Sequence, residues 1–142
     1  MIKQLSIFVE NKAGRLAEIT AELAKAGVDI RALSVADTTN FGILRLIVDK
    51  PDEAERILRE AGLTVSLTGV IAVGSPDQPG GFAAAMRALA DASIDIEYMY
   101  AFISRDEGRA CVILRVENNE AACEVLHGAG IRLMNDEDIS SL

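Results

Sequence analysis

The sequence predicts an α+β fold built from two tandem βαββαβ units. Three observations carry this. The hydrophobic period switches repeatedly between two and about 3.6 residues, the marks of strand and helix. The order of those periods is run through twice in 142 residues. Each run opens with a glycine turn, at 11–16 and again at 77–82, placed between a strand pattern and a helical one.

The first strand is expected over 3–9, where Leu5, Ile7 and Val9 share one face and Gln4 and Ser6 the other. The turn Asn11-Lys12-Ala13-Gly14-Arg15-Leu16 follows, with Gly14 able to take positive φ without steric cost. Leu16, Ile19, Thr20 and Leu23 then recur at helical spacing. Asn11 is suited to cap that helix through its side-chain oxygen. Ala26-Gly27 stops it, and 28–37 reads as a strand of β-branched and small apolar residues. A turn at Thr38-Thr39-Asn40 leads to a strand over 42–49. Pro51 opens the second helix at a position where a missing N–H costs nothing; its apolar face is Ala54, Ile57, Leu58 and Ala61. Gly62 ends it, and a strand over 63–67 closes the unit.

The second run repeats this order. A strand is expected over 70–74, then the turn Asp77-Gln78-Pro79-Gly80-Gly81-Phe82, then a helix whose face is Phe82, Ala85, Met86 and Leu89. Strands over 94–103 and 109–117, a helix through Ala122, Val125, Leu126 and Ala129, and a strand over 131–134 complete it, leaving 135–142 as an acidic tail. Displaced by 66 positions, Gly14 falls on Gly80, Leu23 on Leu89 and Asp29-Ile30 on Asp95-Ile96. Displaced by 68, Leu46 falls on Leu114 and Ala61-Gly62 on Ala129-Gly130. The two extra residues belong in the hairpin between the middle strands, where loops absorb insertions. The order is the split βαβ, ferredoxin-like one. Two domains are expected, 1–68 and 69–142, with almost no linker at Thr68-Gly69.

Composition narrows the function. The formal net charge is −8, which repels phosphate backbones, so nucleic acid is not an expected partner. Met1 runs straight into a strand pattern with no leader-like segment, and no apolar run approaches the roughly 20 residues of a membrane helix. The expected location is the cytoplasm, where Cys111 and Cys123 stay reduced. Their spacing matches no metal motif, and neither a metal nor a cofactor is implied. His127 stands alone with no nucleophile beside it, and no catalytic constellation is present, so an enzyme is not expected.

Taken together, the turns, the strand starts and the duplicated order resemble a tandem pair of ACT domains, over nearly the whole chain. That family carries a loop of the form acidic-or-Asn, any residue, Pro, Gly, any residue, Leu. Asp77-Gln78-Pro79-Gly80-Gly81-Phe82 fits with Phe for Leu; Asn11-Lys12-Ala13-Gly14-Arg15-Leu16 fits with Ala13 for Pro. Its Gly-Val-Asn-Ile-like strand start is met by Gly27-Val28-Asp29-Ile30 and Ser93-Ile94-Asp95-Ile96, each with Asp for Asn.

The resemblance implies antiparallel sheets packed side by side and a free amino acid bound where a loop meets a neighbouring strand. In this chain the main-chain N–H groups of Ala13, Gly14, Arg15 and Leu16, and of Gly80, Gly81 and Phe82 beyond Pro79, suit the carboxylate. Asn11, Asp77, Asp29 and Asp95 suit the ammonium, with Ile30 and Ile96 beside them. Tyr98-Met99-Tyr100-Ala101-Phe102 reads as core or interface filling, and alternatively as a pocket wall. The leading reading is a stand-alone amino-acid-binding regulator of amino-acid metabolism, a homodimer because open sheet edges need covering. The alternative is a regulatory interaction subunit of an amino-acid biosynthetic enzyme, similar to the acetolactate synthase small subunit, with a metabolic enzyme as its partner.

Overall fold

A computed structural model describes residues 1–37, 40–101 and 108–140. The chain divides into two compact units: Lys3–Thr68, and Gly69–Leu142 together with Met1–Ile2.

The first unit contains β1 (Ile2–Glu10), α1 (Arg15–Lys25), β2 (Ile30–Asp37), β3 (Phe41–Val48), α2 (Pro51–Glu60) and the opening stretch of β4 (Thr64–Pro76). Its strands lie in the order β2-β3-β1-β4. β3 runs antiparallel to both neighbours, with Leu46 opposite Leu5 on one side and Leu33 on the other. The period-two pattern decides what is buried. Leu5, Ile7 and Val9 of β1 and Leu44, Leu46 and Val48 of β3 meet Ile19 and Leu23 of α1 and Ala54 and Leu58 of α2 in one core. Fully burying one such Leu, Ile or Val contributes about 1.5–3 kcal/mol, so these few side chains fasten both helices to the sheet. On the other face Gln4 is fully buried and donates from its amide to Ser6 Oγ at 3.1 Å.

The second unit takes the rest of β4, then α3 (Ala83–Asp91), β5 (Tyr98–Ala101), β6 (Arg109–Arg115), α4 (Asn119–Gly128), β7 (Arg132–Met134) and α5 (Asp136–Ser140). Its order is β5-β6-β4-β7, the same ferredoxin-like order as the first. Ile71 and Val73 of β4 and Leu114 of β6 pack on Ala85 and Leu89 of α3 and Ala122 and Leu126 of α4. The antiparallel register sets Ile71 opposite Leu114 and Leu114 opposite Met99.

Several elements depart from the sequence reading. The strands expected over 63–67 and 70–74 are one continuous 13-residue strand: Gly69 weakens an extended backbone but, unlike proline, keeps its N–H and does not end it. α1 is capped not by Asn11 but by Gly14, with no side-chain cap bond; the Asn11 backbone instead donates to Asn40 O at 3.3 Å. On α1 only Ile19 and Leu23 are buried; Leu16 is 43% exposed, and exposed Thr20 turns its hydroxyl back onto Leu16 O at 2.9 Å. β2 and β5 begin at Ile30 and Tyr98, later than expected, since Val28-Asp29 and Ile94–Glu97 form the bend that brings the chain from helix to sheet. The segment expected to be a tail folds as α5. Asn135 Oδ1 accepts the Asp138 N–H and Asp138 Oδ2 accepts the Asn135 N–H, both at 2.9 Å, a reciprocal cap that starts the helix, and Ile139 is buried. The turn residues Thr38 and Thr39, and Phe102 and Ile103 of the expected 94–103 strand, lie outside the described residues. Among the described residues no helix is long and apolar enough to cross a membrane, and no cluster of His, Cys, Asp and Glu is arranged to hold a metal.

Candidate functional site

Both glycine turns stand where the sequence places them, at the end of a strand and the start of a helix. In the first, Gly14 has φ 83° and Arg15 N–H closes the turn onto Lys12 O at 3.2 Å. Glu18 N–H then takes Gly14 O at 3.0 Å as α1 begins. The N–H groups of Gly14, Leu16 and Ala17 therefore have no intrahelical carbonyl to meet. A Cβ at Gly14 would meet nothing within 4 Å: the residue is glycine for its backbone angle, and the space in front of it is open.

The second turn is tighter. Asp77 N–H donates to Gly108 O, Gln78 N–H to Pro76 O and Gly81 N–H to Gln78 O, each at 2.9 Å. Gly80 has φ 81° with open space in front, as Gly14 does. Gly81 differs. A Cβ there would overlap the Pro76 carbonyl oxygen, so a position that takes any residue in the loop pattern of the resemblance is sterically closed here. Its counterpart Arg15 bears a long side chain. Phe82 is turned into the core of its unit. The first turn of α3 carries no acidic residue, whereas α1 carries Glu18, which pairs with Arg15 Nη1 at 3.1 Å. The positive end of α3 is thus the less neutralised of the two.

The strand-start residues are somewhere else. Glu10 pairs with Phe41 at the turn end of the sheet, whereas Ile30 pairs with Val48 at the other end. At about 3.3 Å per residue, the span of β3 between those pairs puts Asn11 and Asp29 on the order of 20 Å apart. Asp77 and Asp95 are separated in the same way, since β4 pairs Pro76 with Arg109 while Glu97 N–H bonds Arg115 O. Neither unit brings its own turn to its own strand start. Asp29 also has local work: its N–H donates to Asp49 Oδ1 at 2.8 Å and its Oδ2 meets Arg31 Nη1 at 2.9 Å, with the Arg31 side chain 10% exposed. Asp95 is exposed, and Ile30 and Ile96 pack onto the two cores.

Two further features sit at the sheet edges. Among the described residues, β2 and β5 each have one unpaired side. On the helix-bearing face of those strands Leu33, Val35 and Met99 are 44–50% exposed. Tyr98 and Tyr100, on the other face of β5, are half-buried.

The sequence reading also missed a cleft of about 270 Å³ in the first unit, lined by Phe8, Glu10, Arg15, Phe41, Gly62, Leu63 and Thr64. Phe8 is the signal that was available. It stands on the polar face of β1, in line with Gln4 and Ser6, and is 56% exposed. His127 is exposed in the last turn of α4. Burial pushes the Cys111 thiol up to about 11, and that thiol donates to Met134 Sδ at 3.2 Å, a packing role and not a reactive one.

Two split-βαβ units in tandem, each with a left-handed glycine between first strand and first helix, define a class of paired α+β modules. The chain belongs to the ACT domain pair family, whose profile matches residues 1–142. It is similar to protein BT0572 from Bacteroides thetaiotaomicron, at 39% identity over 99% of this chain and 96% of that one, with a TM-score of 0.93. It shares its fold with the ligand-free regulatory subunit of aspartate kinase from Thermus thermophilus (22% identity, 89% and 91% of the two chains, TM-score 0.65). The regulatory subunit of aspartate kinase from Thermus flavus is comparable (22% identity, 90% and 92%, TM-score 0.58). No curated protein sequence matches the chain.

Proposed function

We propose that the chain is a non-catalytic regulator whose two ACT domains, 1–68 and 69–142, bind a free amino acid and act in amino-acid metabolism. The observation that carries this is the pair of equivalent turns, Gly14 at φ 83° and Gly80 at φ 81°, each exposing main-chain N–H groups at a helix start with open space in front. Those groups take the carboxylate. Asn11 or Asp77 at the turn takes the ammonium. The second turn binds more tightly, because Pro79 restricts it and no carboxylate in the first turn of α3 opposes the ligand.

Within a unit the turn and the strand start are far apart, so a complete site draws on a second copy. Edge strand β2 laid antiparallel against its equivalent in another chain brings the turn of one copy beside the Asp29 end of the other. Leu33 and Val35 leave water in the process, which makes a homodimer the working form. Ligand and association are then linked: an amino acid that contacts both copies favours the paired state by its difference in affinity. The exposed apolar edge of β5, with Met99, supports a second reading, in which a biosynthetic enzyme covers that edge and ligand sensing is secondary.

Thermal unfolding against each common amino acid at millimolar concentration tests the first reading. A ligand at 100 times its Kd adds about 2.7 kcal/mol, a shift on the order of 5–10 °C for a chain of this size. A selective shift with one or two amino acids is expected. No shift with any of them refutes ligand sensing.

A further inference from the structure

The two repeats share a fold but not a charge. Of the formal net charge of −8, residues 69–142 carry −7, with five Arg and no Lys against twelve Asp and Glu, and residues 1–68 carry −1. The difference is concentrated where each edge strand begins. In the first unit Asp29 Oδ2 meets Arg31 Nη1 at 2.9 Å, Asp52 meets Lys3 Nζ at 3.0 Å and Asp49 Oδ1 accepts the Asp29 N–H at 2.8 Å. Lys25 stands in the last turn of α1, at the negative end of that helix. Displaced by 66, Lys3, Lys25 and Arg31 fall on Gly69, Asp91 and Glu97; displaced by 68, Lys50 falls on Asn118, and Asp49 and Asp52 on Glu117 and Glu120. The start of β5 is therefore ringed by Asp91, Asp95, Glu97, Glu117 and Glu120, all exposed, in place of a mixed set. Arg87 pairs with Asp91 at 3.5 Å and Arg115 with Glu97 at 3.4 Å, while Asp95, Glu117 and Glu120 have no cationic partner among the described residues.

The strand beside those carboxylates is an uncovered edge. Among the described residues β5 pairs with β6 on one side and with nothing on the other. An edge strand presents unpaired N–H and C=O groups, which proteins blunt with Lys, Pro or a bulge. β2 has a bulge between Ile30 and Ala32; Tyr98-Met99-Tyr100-Ala101 has none of these devices, and Met99 is 44% exposed. We propose that β5 is a docking edge for an extended segment of a partner protein that carries Lys or Arg at the end lying beside Tyr98. This rests on the reading in which a partner protein covers the β5 edge, and adds the chemistry of that partner. Main-chain hydrogen bonds extend the sheet, an apolar side chain covers Met99, and the cations meet Asp95 and Glu117. A second copy is the poorer occupant, because its own second unit brings the same excess of carboxylates.

The test is an amide-resolved NMR titration of the full chain with two short synthetic peptides of alternating Val and Thr, one ending in a pair of Lys and the other in a pair of Glu. The basic peptide is expected to move the amides of Tyr98, Met99, Tyr100 and Ala101, and to bind less tightly as salt is raised, since exposed charges are screened. Asp95→Lys combined with Glu117→Lys is expected to weaken it about fivefold or more, the scale of exposed ion pairs; both side chains are exposed, so that variant keeps its fold. Met99→Ser weakens it too, and Val35→Ser on β2 leaves it unchanged. No movement at Tyr98–Ala101 overturns the docking edge, and with it a partner on β5. Equal binding of the acidic peptide overturns the cationic partner while a partner on β5 still stands. A dimer in light scattering that Met99→Ser turns to monomer puts a second copy on the edge and overturns the proposal as well. Amino-acid sensing at the turns is read by thermal shift and stands or falls apart from these results.

Discussion

Gly80 and Gly81 are neighbours with opposite reasons for being glycine, and substituting each by alanine separates the reasons. Gly80 holds φ at 81°, and a methyl added there would find nothing within 4 Å. Gly80→Ala therefore carries only the left-handed backbone penalty, about 1–2 kcal/mol. The turn keeps its hydrogen bonds, and the new methyl projects into the space a ligand would occupy. Gly81→Ala drives a methyl into the Pro76 carbonyl oxygen and to 3.1 Å from Gln78 O. The chain must open the turn, which disturbs the Gln78–Pro76 and Gly81–Gln78 bonds. Overpacking costs about 1–3 kcal/mol, and each of the two lost bonds adds about 0.5–1.5 kcal/mol, for a total on the order of 2–6 kcal/mol. Urea unfolding measures both variants, and calorimetric titration with the stabilising amino acid measures binding. The expected pattern is a modest stability loss with binding abolished at the second turn for Gly80→Ala, and a larger stability loss for Gly81→Ala. Wild-type affinity in Gly80→Ala, or wild-type stability in Gly81→Ala, would refute the reasoning.

Three further outcomes follow from particular residues. Ser93 holds φ 57° where the first unit has Gly27 at φ 70°, so Ser93→Gly relieves left-handed strain and should raise stability by about 0.5–1 kcal/mol after the entropy cost of glycine; an unchanged urea midpoint would contradict this. The Cys111 thiol is raised from 9.0 to about 11, so the stability it contributes is whole below pH 9 and is lost as pH rises toward 11; Cys111→Ala should flatten the stability–pH curve in that window, and an unaltered curve would count against it. Val35→Lys places a charge on the helix-bearing face of edge strand β2 and should convert the expected dimer to monomer in light scattering; a persisting dimer would remove β2 from the interface.

The elements were legible where period and punctuation agreed. Leu5-Ile7-Val9 alternation, Pro51 at a helix start and Gly62 at its end each state one local preference, and the structure follows them. Legibility failed where two local signals competed or where tertiary contact decided. Asn11 has the chemistry of a cap, yet a left-handed glycine three residues later starts the helix closer in. Asn135 and Asp138 form a reciprocal cap that an acidic run disguised as a solvated tail. At the site, the turns were readable because glycine angles are local. The separation of Asn11 from Asp29 was not, because it follows from strand pairing. The cleft joins Phe8, Arg15, Phe41 and Leu63, which only the folded sheet gathers.

The two repeats meet inside β4, a strand and not a connector. Thr64 to Pro76 is extended throughout, and residues 71–76 are locked in a ladder with β6 while 72–74 also pair with β7. A loop at that junction would have drifted in length over generations without harm. A strand does not: one inserted residue reverses which side every later side chain faces, and Ile71 and Val73 would leave their core. The seam of the duplication is therefore the least editable part of the chain. Length variation among descendants should collect in the hairpins between the middle strands of each repeat, and genetic fusions or tags inserted between Thr68 and Gly69 should yield no folded protein.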